Sequence, residues 1–189
     1  MFPSFNMEFL FSNSFYSKFQ APNAGELIST LEMDEGENVK YSWSDMCNVK
    51  TYRLSTEKYL PILKPSIELF ARNAEIGELN YYMWDPWINF YSRNGFQELH
   101  DHSNHDIVCV FFLDTGIDFS EFYFYNRNHI QWSFNWRTLM ELSDRFVPTI
   151  REGDIMFFPG HMLHGVSPHR SDKVRRTLSF NLDITFPNA

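Results

Sequence analysis

Residues 96–106 read Phe-Gln-Glu-Leu-His-Asp-His-Ser-Asn-His-Asp, and seven apolar residues, Ile-Val-Cys-Val-Phe-Phe-Leu, follow at once at 107–113. The second stretch has strand length and strand composition, and an unbroken apolar run of that kind belongs to a strand buried on both faces. In the first stretch His100 and His102 stand two residues apart. Side chains i and i+2 leave an extended chain on the same face, so the two imidazoles are predicted to enter one cavity while Asp101 points away. A His-x-His pair supplies two ligands of a metal site and needs a third from elsewhere. Two surface histidines on a strand would read the same way, so the pair alone settles nothing. Imidazole also suits Fe, Zn, Cu and Ni alike, so the ligand type does not name the metal.

Working outward, Asn94-Gly95 just upstream is a strong hairpin signal, ending an aromatic strand-like stretch at 81–93. Downstream, strands are expected at 121–126, 131–136, 151–159, 164–168 and 175–185, close enough together for a sandwich or jelly roll. Gly153-Asp154-Ile155-Met156-Phe157-Phe158-Pro159 reads as a turn entering a buried strand, and His164-Gly165-Val166 opens the next. His164 is therefore the candidate third ligand. In the last strand, alternation places Arg175, Thr177, Ser179 and Asn181 on one face and Arg176, Leu178, Phe180 and Leu182 on the other. A guanidinium with a hydroxyl two residues on is suited to clamp a carboxylate, because its fork matches one in bidentate fashion. An ion pair with a neighbouring acid is the other reading of Arg175. Tyr91, on the strand before the Asn-Gly turn, either donates into the same cavity or packs in the core.

Residues 1–79 have a different texture, with helices expected at 24–31 and 56–76. The longer one carries Leu60, Leu63, Ile67 and Phe70 at helical spacing with Ser55 or Thr56 as cap, and Pro65 is predicted to split it. The reading is a single domain over 1–189, a helical preface with an outer strand (1–79) before a β core (80–189). The aromatic N-terminus lacks a basic segment and reads as a first strand rather than a signal peptide. A net charge of −8 and a pI near 5.3 argue against nucleic-acid binding, which needs a basic face. Cys47 and Cys109 are too few for a disulfide framework, and with no transmembrane-length segment this points to the cytoplasm.

Taken in order, Trp87-Ile88-Asn89, Gly95-Phe96-Gln97-Glu98, His100-x-His102, residues 108–113, Gly153-Asp154, Phe157-Phe158-Pro159, His164-Gly165-Val166, Arg175 and Ser179-Phe180-Asn181 resemble the Fe(II)/2-oxoglutarate-dependent oxygenase superfamily. Within it the chain is most similar to a group from phage and bacterial genomes, distantly similar to prolyl 4-hydroxylases. The resemblance covers about residues 87–181. It implies a double-stranded β-helix (jelly roll), mainly β with N-terminal helices, and a hydroxylase using Fe(II), 2-oxoglutarate and O2, with ascorbate as a further reductant. It implies His100, His102 and His164 as iron ligands, and Arg175, Thr177 and Tyr91 as the 2-oxoglutarate site. Where the superfamily has Asp or Glu two residues after the first histidine, this chain has His102. That removes a negative charge from the ligand set, with Asp101 and Asp106 as fallback carboxylates. His105, His161 and His169 fall to loops or supporting positions, and His129 to the periphery.

The implied substrate is a protein, peptide (prolyl-like) or small amino acid, with neither nucleic acid nor membrane as partner. The chain would be a monomer or homodimer in the cytoplasm, the host's if phage-encoded. Two other classes stay open: a cupin-like three-histidine metal enzyme without 2-oxoglutarate, and a non-catalytic jelly-roll binding protein.

Overall fold

The computed structural model describes residues 14–32, 34, 36–39, 47–127 and 133–186. The expected strand at the extreme N-terminus and the position of His129 lie outside them. Twelve strands and three helices are described: β1 (Ser17–Gln20), α1 (Ala24–Glu32), β2 (Glu37–Val39), β3 (Val49–Arg53), α2 (Thr56–Asn73), β4 (Tyr81–Met83), β5 (Trp87–Tyr91), β6 (Gln97–His100), β7 (Ile107–Phe112), β8 (Phe122–Tyr125), α3 (Phe134–Leu139), β9 (Arg145–Phe146), β10 (Asp154–Pro159), β11 (His164–Val166) and β12 (Arg175–Ile184).

The strands form two antiparallel sheets. The larger runs β1-β10-β7-β12-β5-β3-β2, with β4 also paired to β12; the smaller runs β6-β11-β8-β9. Alternation along the central strands builds two cores. Val108, Val110 and Phe112 of β7 join Met156 and Phe158 of β10 and meet Phe122, Phe124 and Val166 of the smaller sheet. Cys109 and Phe111 face the other way with Phe157, Leu178 and Phe180, under a helical layer carrying Leu27, Tyr59, Leu63, Ile67 and Phe70. Burial on both faces explains why 107–113 is apolar without a break. Phe70 lies flat on Phe157, ring centroids 4.7 Å apart, anchoring α2 to the sheet. The fold is the mainly-β jelly roll expected from the sequence.

Three local expectations are corrected. α2 runs unbroken through Pro61 and Pro65, from the Ser55 cap, whose hydroxyl accepts from the Lys58 N–H. A buried stripe of Tyr59, Leu63, Ile67 and Phe70 spans both prolines, and its burial outweighs the lost backbone bonds. The Asn94-Gly95 turn forms, with Asn94 at φ +66° and the Gly95 N–H donating to Ser92 O at 2.7 Å. It does not join hydrogen-bonded neighbours, because β5 lies in the larger sheet and β6 in the smaller. The strand expected at 131–136 is not formed over its described part. Ser133 caps α3 by accepting from the Trp136 N–H, and this local bond prevails over the β preference of the aromatics. No described helix is long and apolar enough to cross a membrane.

Candidate active site

His100 ends β6 directly opposite His164, which opens β11. His102 lies beyond the end of β6, in a loop rather than on the strand where alternation placed it. That loop is held by its own contacts: the His102 N–H donates to Gly160 O, and the Gly160 N–H to Asp106 O. A Cβ at Gly160 would come within 2.0 Å of His105 O and 2.5 Å of His102 O, so only glycine permits this approach. The result is a cluster in which His100, His102 and His164 each offer a ligand atom, all within 4.8 Å of one another. Asp101 and Asp106 take no part in it. Asp101 pairs with Arg127 and Asp106 accepts the Ile184 N–H.

Each imidazole is oriented through Nδ1. His100 Nδ1 meets Glu98 O at 2.7 Å, His164 Nδ1 meets Met162 O at 2.9 Å and His102 Nδ1 meets Asn181 Oδ1 at 2.8 Å. All three partners are oxygen acceptors, so each Nδ1 carries the hydrogen and each Nε2 keeps its lone pair for a metal. Burial holds all three pKa values below the ordinary imidazole value, His102 to about 4 and His164 well below it. Neutral imidazoles are the form that ligates. Three such donors on one side of a cavity match a divalent transition metal with positions left open.

On the same cavity wall β12 presents Arg175, Thr177 and Ser179, with Tyr91 and Asn89 of β5 beside them. The register is the one read from alternation. Arg175 is 3% exposed, whereas Arg176 faces the other way and makes a two-pronged pair with Asp114 at 2.8 and 2.9 Å. The Arg175 guanidinium lies over the rings of Tyr91 and Phe112, at 5.1 and 5.9 Å from their centroids. Its Nη1 is buried without a hydrogen-bond partner. A buried guanidinium N–H without an acceptor is costly, and a carboxylate entering from the cavity would satisfy it. By their chemistry the residues present therefore fit a metal at the triad and an anion at Arg175. The Tyr91 hydroxyl is already used, donating to Gln97 Oε1 at 2.8 Å, so the cavity meets its ring and oxygen rather than a free proton.

Three features were not legible in sequence. Asn181 is on the predicted inward face, but nothing local announced its bond to His102. Gln97 lines the cavity because the β6–β11 ladder shifts register, pairing His164 with His100 but Val166 with Gln97. Trp87 stacks against His102 at 6.0 Å. Among the remaining histidines, His105 meets Asp183 at 3.0 Å and His169 is fully buried beneath Phe119. A larger cavity of about 630 Å³ opens where β7 ends, among the loops bearing Asp114, Ser120, Ile150 and Arg170, and reaches Arg175 from there. It lacks the triad, which lines the smaller one.

A jelly roll with three converging imidazoles and a buried arginine defines the class of protein: a mononuclear metal enzyme of the double-stranded β-helix type. Residues 85–181, just over half of the chain, match the family model described as "Putative 2OG-Fe(II) oxygenase". The chain belongs to this 2OG-Fe(II) oxygenase family. No curated protein matches its sequence. Among solved structures it is similar to an oxidoreductase of the 2OG-Fe(II) oxygenase family from Burkholderia pseudomallei, with TM-score 0.66 and 13% identity over 89% of this chain and 84% of that one. HygX from Streptomyces hygroscopicus, solved with nickel and 2-oxoglutarate bound, is similar at TM-score 0.61 and 11% identity, covering 92% and 84%. A Pseudomonas putida prolyl-4-hydroxylase is similar at TM-score 0.60 and 12% identity, covering 90% and 93%. At these identities the likeness is one of fold.

Proposed function

We propose that this oxygenase holds Fe(II) through Nε2 of His100, His102 and His164 and takes the distal carboxylate of 2-oxoglutarate on Arg175, with Thr177 beside it. The substrate we propose is a peptidyl, prolyl-like residue or a small amino acid, hydroxylated at a C–H bond. The observation that carries the co-substrate assignment is the unpartnered Nη1 of Arg175, buried in the wall of the cavity that holds the triad. When bound, Fe(II) and 2-oxoglutarate supply the oxidative chemistry: 2-oxoglutarate and O2 become succinate and CO2, and one oxygen atom enters the substrate C–H bond.

The chain's own residues bind, orient and shield. Nδ1 contacts to Glu98 O, Met162 O and Asn181 Oδ1 fix the three imidazoles before any metal arrives, so little ordering is left to do on binding. The Tyr91 and Phe112 rings lie against the buried Arg175 guanidinium, where water competes poorly for a carboxylate's bonds. Trp87 stacks on His102 and Phe122 lies 5.5 Å from His164, so aromatic rings line the triad.

A cupin-like enzyme without 2-oxoglutarate would have no use for a buried Arg175 with Nη1 left without a partner, and a binding protein would have no use for three imidazoles preset on Nε2. The test is anaerobic Fe(II) loading followed by O2 consumption and succinate release across a peptide and amino-acid panel, with and without ascorbate. Succinate formed in proportion to O2 supports the assignment. Tight iron binding with no 2-oxoglutarate consumed would move the chain to the cupin-like class.

A further inference from the structure

Gln97 is tied to both halves of this site. Its side chain reaches the cavity through the register shift in β6, which brings Gln97 and His100 to one face although they stand three residues apart. Gln97 Oε1 accepts from the Tyr91 hydroxyl at 2.8 Å, and Gln97 Nε2 lies 3.3 Å from His100 Nε2. The direction of this chain of bonds follows from its far end. The Glu98 carbonyl can only accept, so His100 Nδ1 carries the hydrogen. His100 Nε2 is then an acceptor, the Gln97 amide must donate to it, and the Gln97 carbonyl turns to Tyr91, which donates in turn. Tyr91 lies beneath the Arg175 guanidinium.

A metal and the Gln97 N–H compete for the same lone pair on His100 Nε2. Once a metal takes it, the amide keeps its anchor at Tyr91 but loses its acceptor, leaving a fixed donor beside the metal in the cavity it shares with Arg175. The amide is half-buried and held beside the metal in that cavity, so an oxygen acceptor placed there would take its hydrogen bond. We infer that Gln97 is a co-substrate-binding residue released by the metal, its amide donating to a carboxylate or keto oxygen of the 2-oxo acid. This rests on the metal and 2-oxoglutarate assignments above. It adds that metal occupancy switches on a donor for the co-substrate, separately from direct chelation.

The two roles give opposite signs in one variant. Gln97→Leu removes the competitor for His100, so Fe(II) affinity without 2-oxoglutarate should rise about 2- to 10-fold, the range of an ordinary hydrogen bond. The same variant should raise the 2-oxoglutarate dissociation constant of the Fe(II) form about 10- to 100-fold, since the lost bond is to a charged group. Gln97→Glu keeps the shape and the acceptor for Tyr91 but has no N–H, and it should move both affinities in the same two directions. Tyr91→Phe keeps the ring under Arg175, should weaken 2-oxoglutarate less, and should add nothing further in the Gln97→Leu background.

The measurements are anaerobic Fe(II) titration and 2-oxoglutarate titration of the loaded protein, neither needing turnover. A purely structural Gln97 would lower both affinities together in Gln97→Leu and Gln97→Glu, and that result would overturn the inference. So would a 2-oxoglutarate affinity within twofold of wild type in both variants. If Arg175→Ala weakens 2-oxoglutarate while the Gln97 variants do not, this inference falls and the proposed function stands. If 2-oxoglutarate binds indifferently to Arg175, both fall.

Discussion

At the scale of single residues, the proposed metal site depends on three neutral imidazoles and the atoms that orient them. His100→Ala or His164→Ala should abolish Fe(II) binding by equilibrium dialysis, because two imidazoles are too few for a stable site. His105→Ala should leave it intact, since His105 turns to Asp183. Asn181→Leu should weaken Fe(II) about 10- to 100-fold with little change in fold by circular dichroism, because it removes the acceptor that fixes His102. His102→Asp should retain Fe(II), restoring a carboxylate to the ligand set, and complete loss of metal would indicate a site shaped for three imidazoles. The triad was legible because His-x-His converges, although a loop rather than a strand delivers His102. Gln97 was not, because on a regular strand residues 97 and 100 face opposite ways, and only the register shift reverses this.

At the scale of elements, two contacts hold the site's supports in place. Gly160 follows β10 where the His102–His105 loop crosses it. Gly160→Ala should lower thermal stability by roughly 1–3 kcal/mol, as overpacking does, and weaken metal binding, read by a melting curve and a metal titration. Asp154, at the start of β10, ties β1 to the sheet through Lys18 and Gln20 and accepts the Arg151 N–H. Burial raises its pKa, but these hydrogen bonds and the Lys18 charge outweigh it and hold the carboxyl below its ordinary value. A depressed folded pKa means that its stabilisation is complete above the unfolded value of about 3.9 and is lost as pH falls through the folded one. Asp154→Asn should therefore destabilise the protein at pH 7, and the difference from wild type should shrink on titrating below about pH 4. Strand register in β12 was legible because alternation has one period and an arginine marks each face. The continuity of α2 was not, since local proline chemistry argued for a break and only the buried stripe against the sheet overrode it.

At the scale of the whole molecule, the closing of the smaller sheet over the larger brings the histidines of β6, the following loop and β11 to the wall that β12 and β5 carry. An ordered series of short motifs foreshadowed that arrangement, while the layer of α1 and α2 behind the larger sheet came from a region with helical spacing but no motif. The central claim is that one cavity binds Fe(II) at the triad and 2-oxoglutarate between the iron and Arg175. Anaerobic titration of 2-oxoglutarate into the Fe(II)-loaded protein, following the visible metal-to-ligand charge-transfer band, tests it most directly. The expected result is a band that saturates at one equivalent in wild type. In Arg175→Ala it should need about 30-fold to several thousand-fold more ligand, as for removal of one partner of a buried charged pair. Arg176→Ala, whose guanidinium meets Asp114 on the opposite face, should titrate like wild type. Equal effects of the two arginine substitutions, or iron binding without any band, would contradict the account.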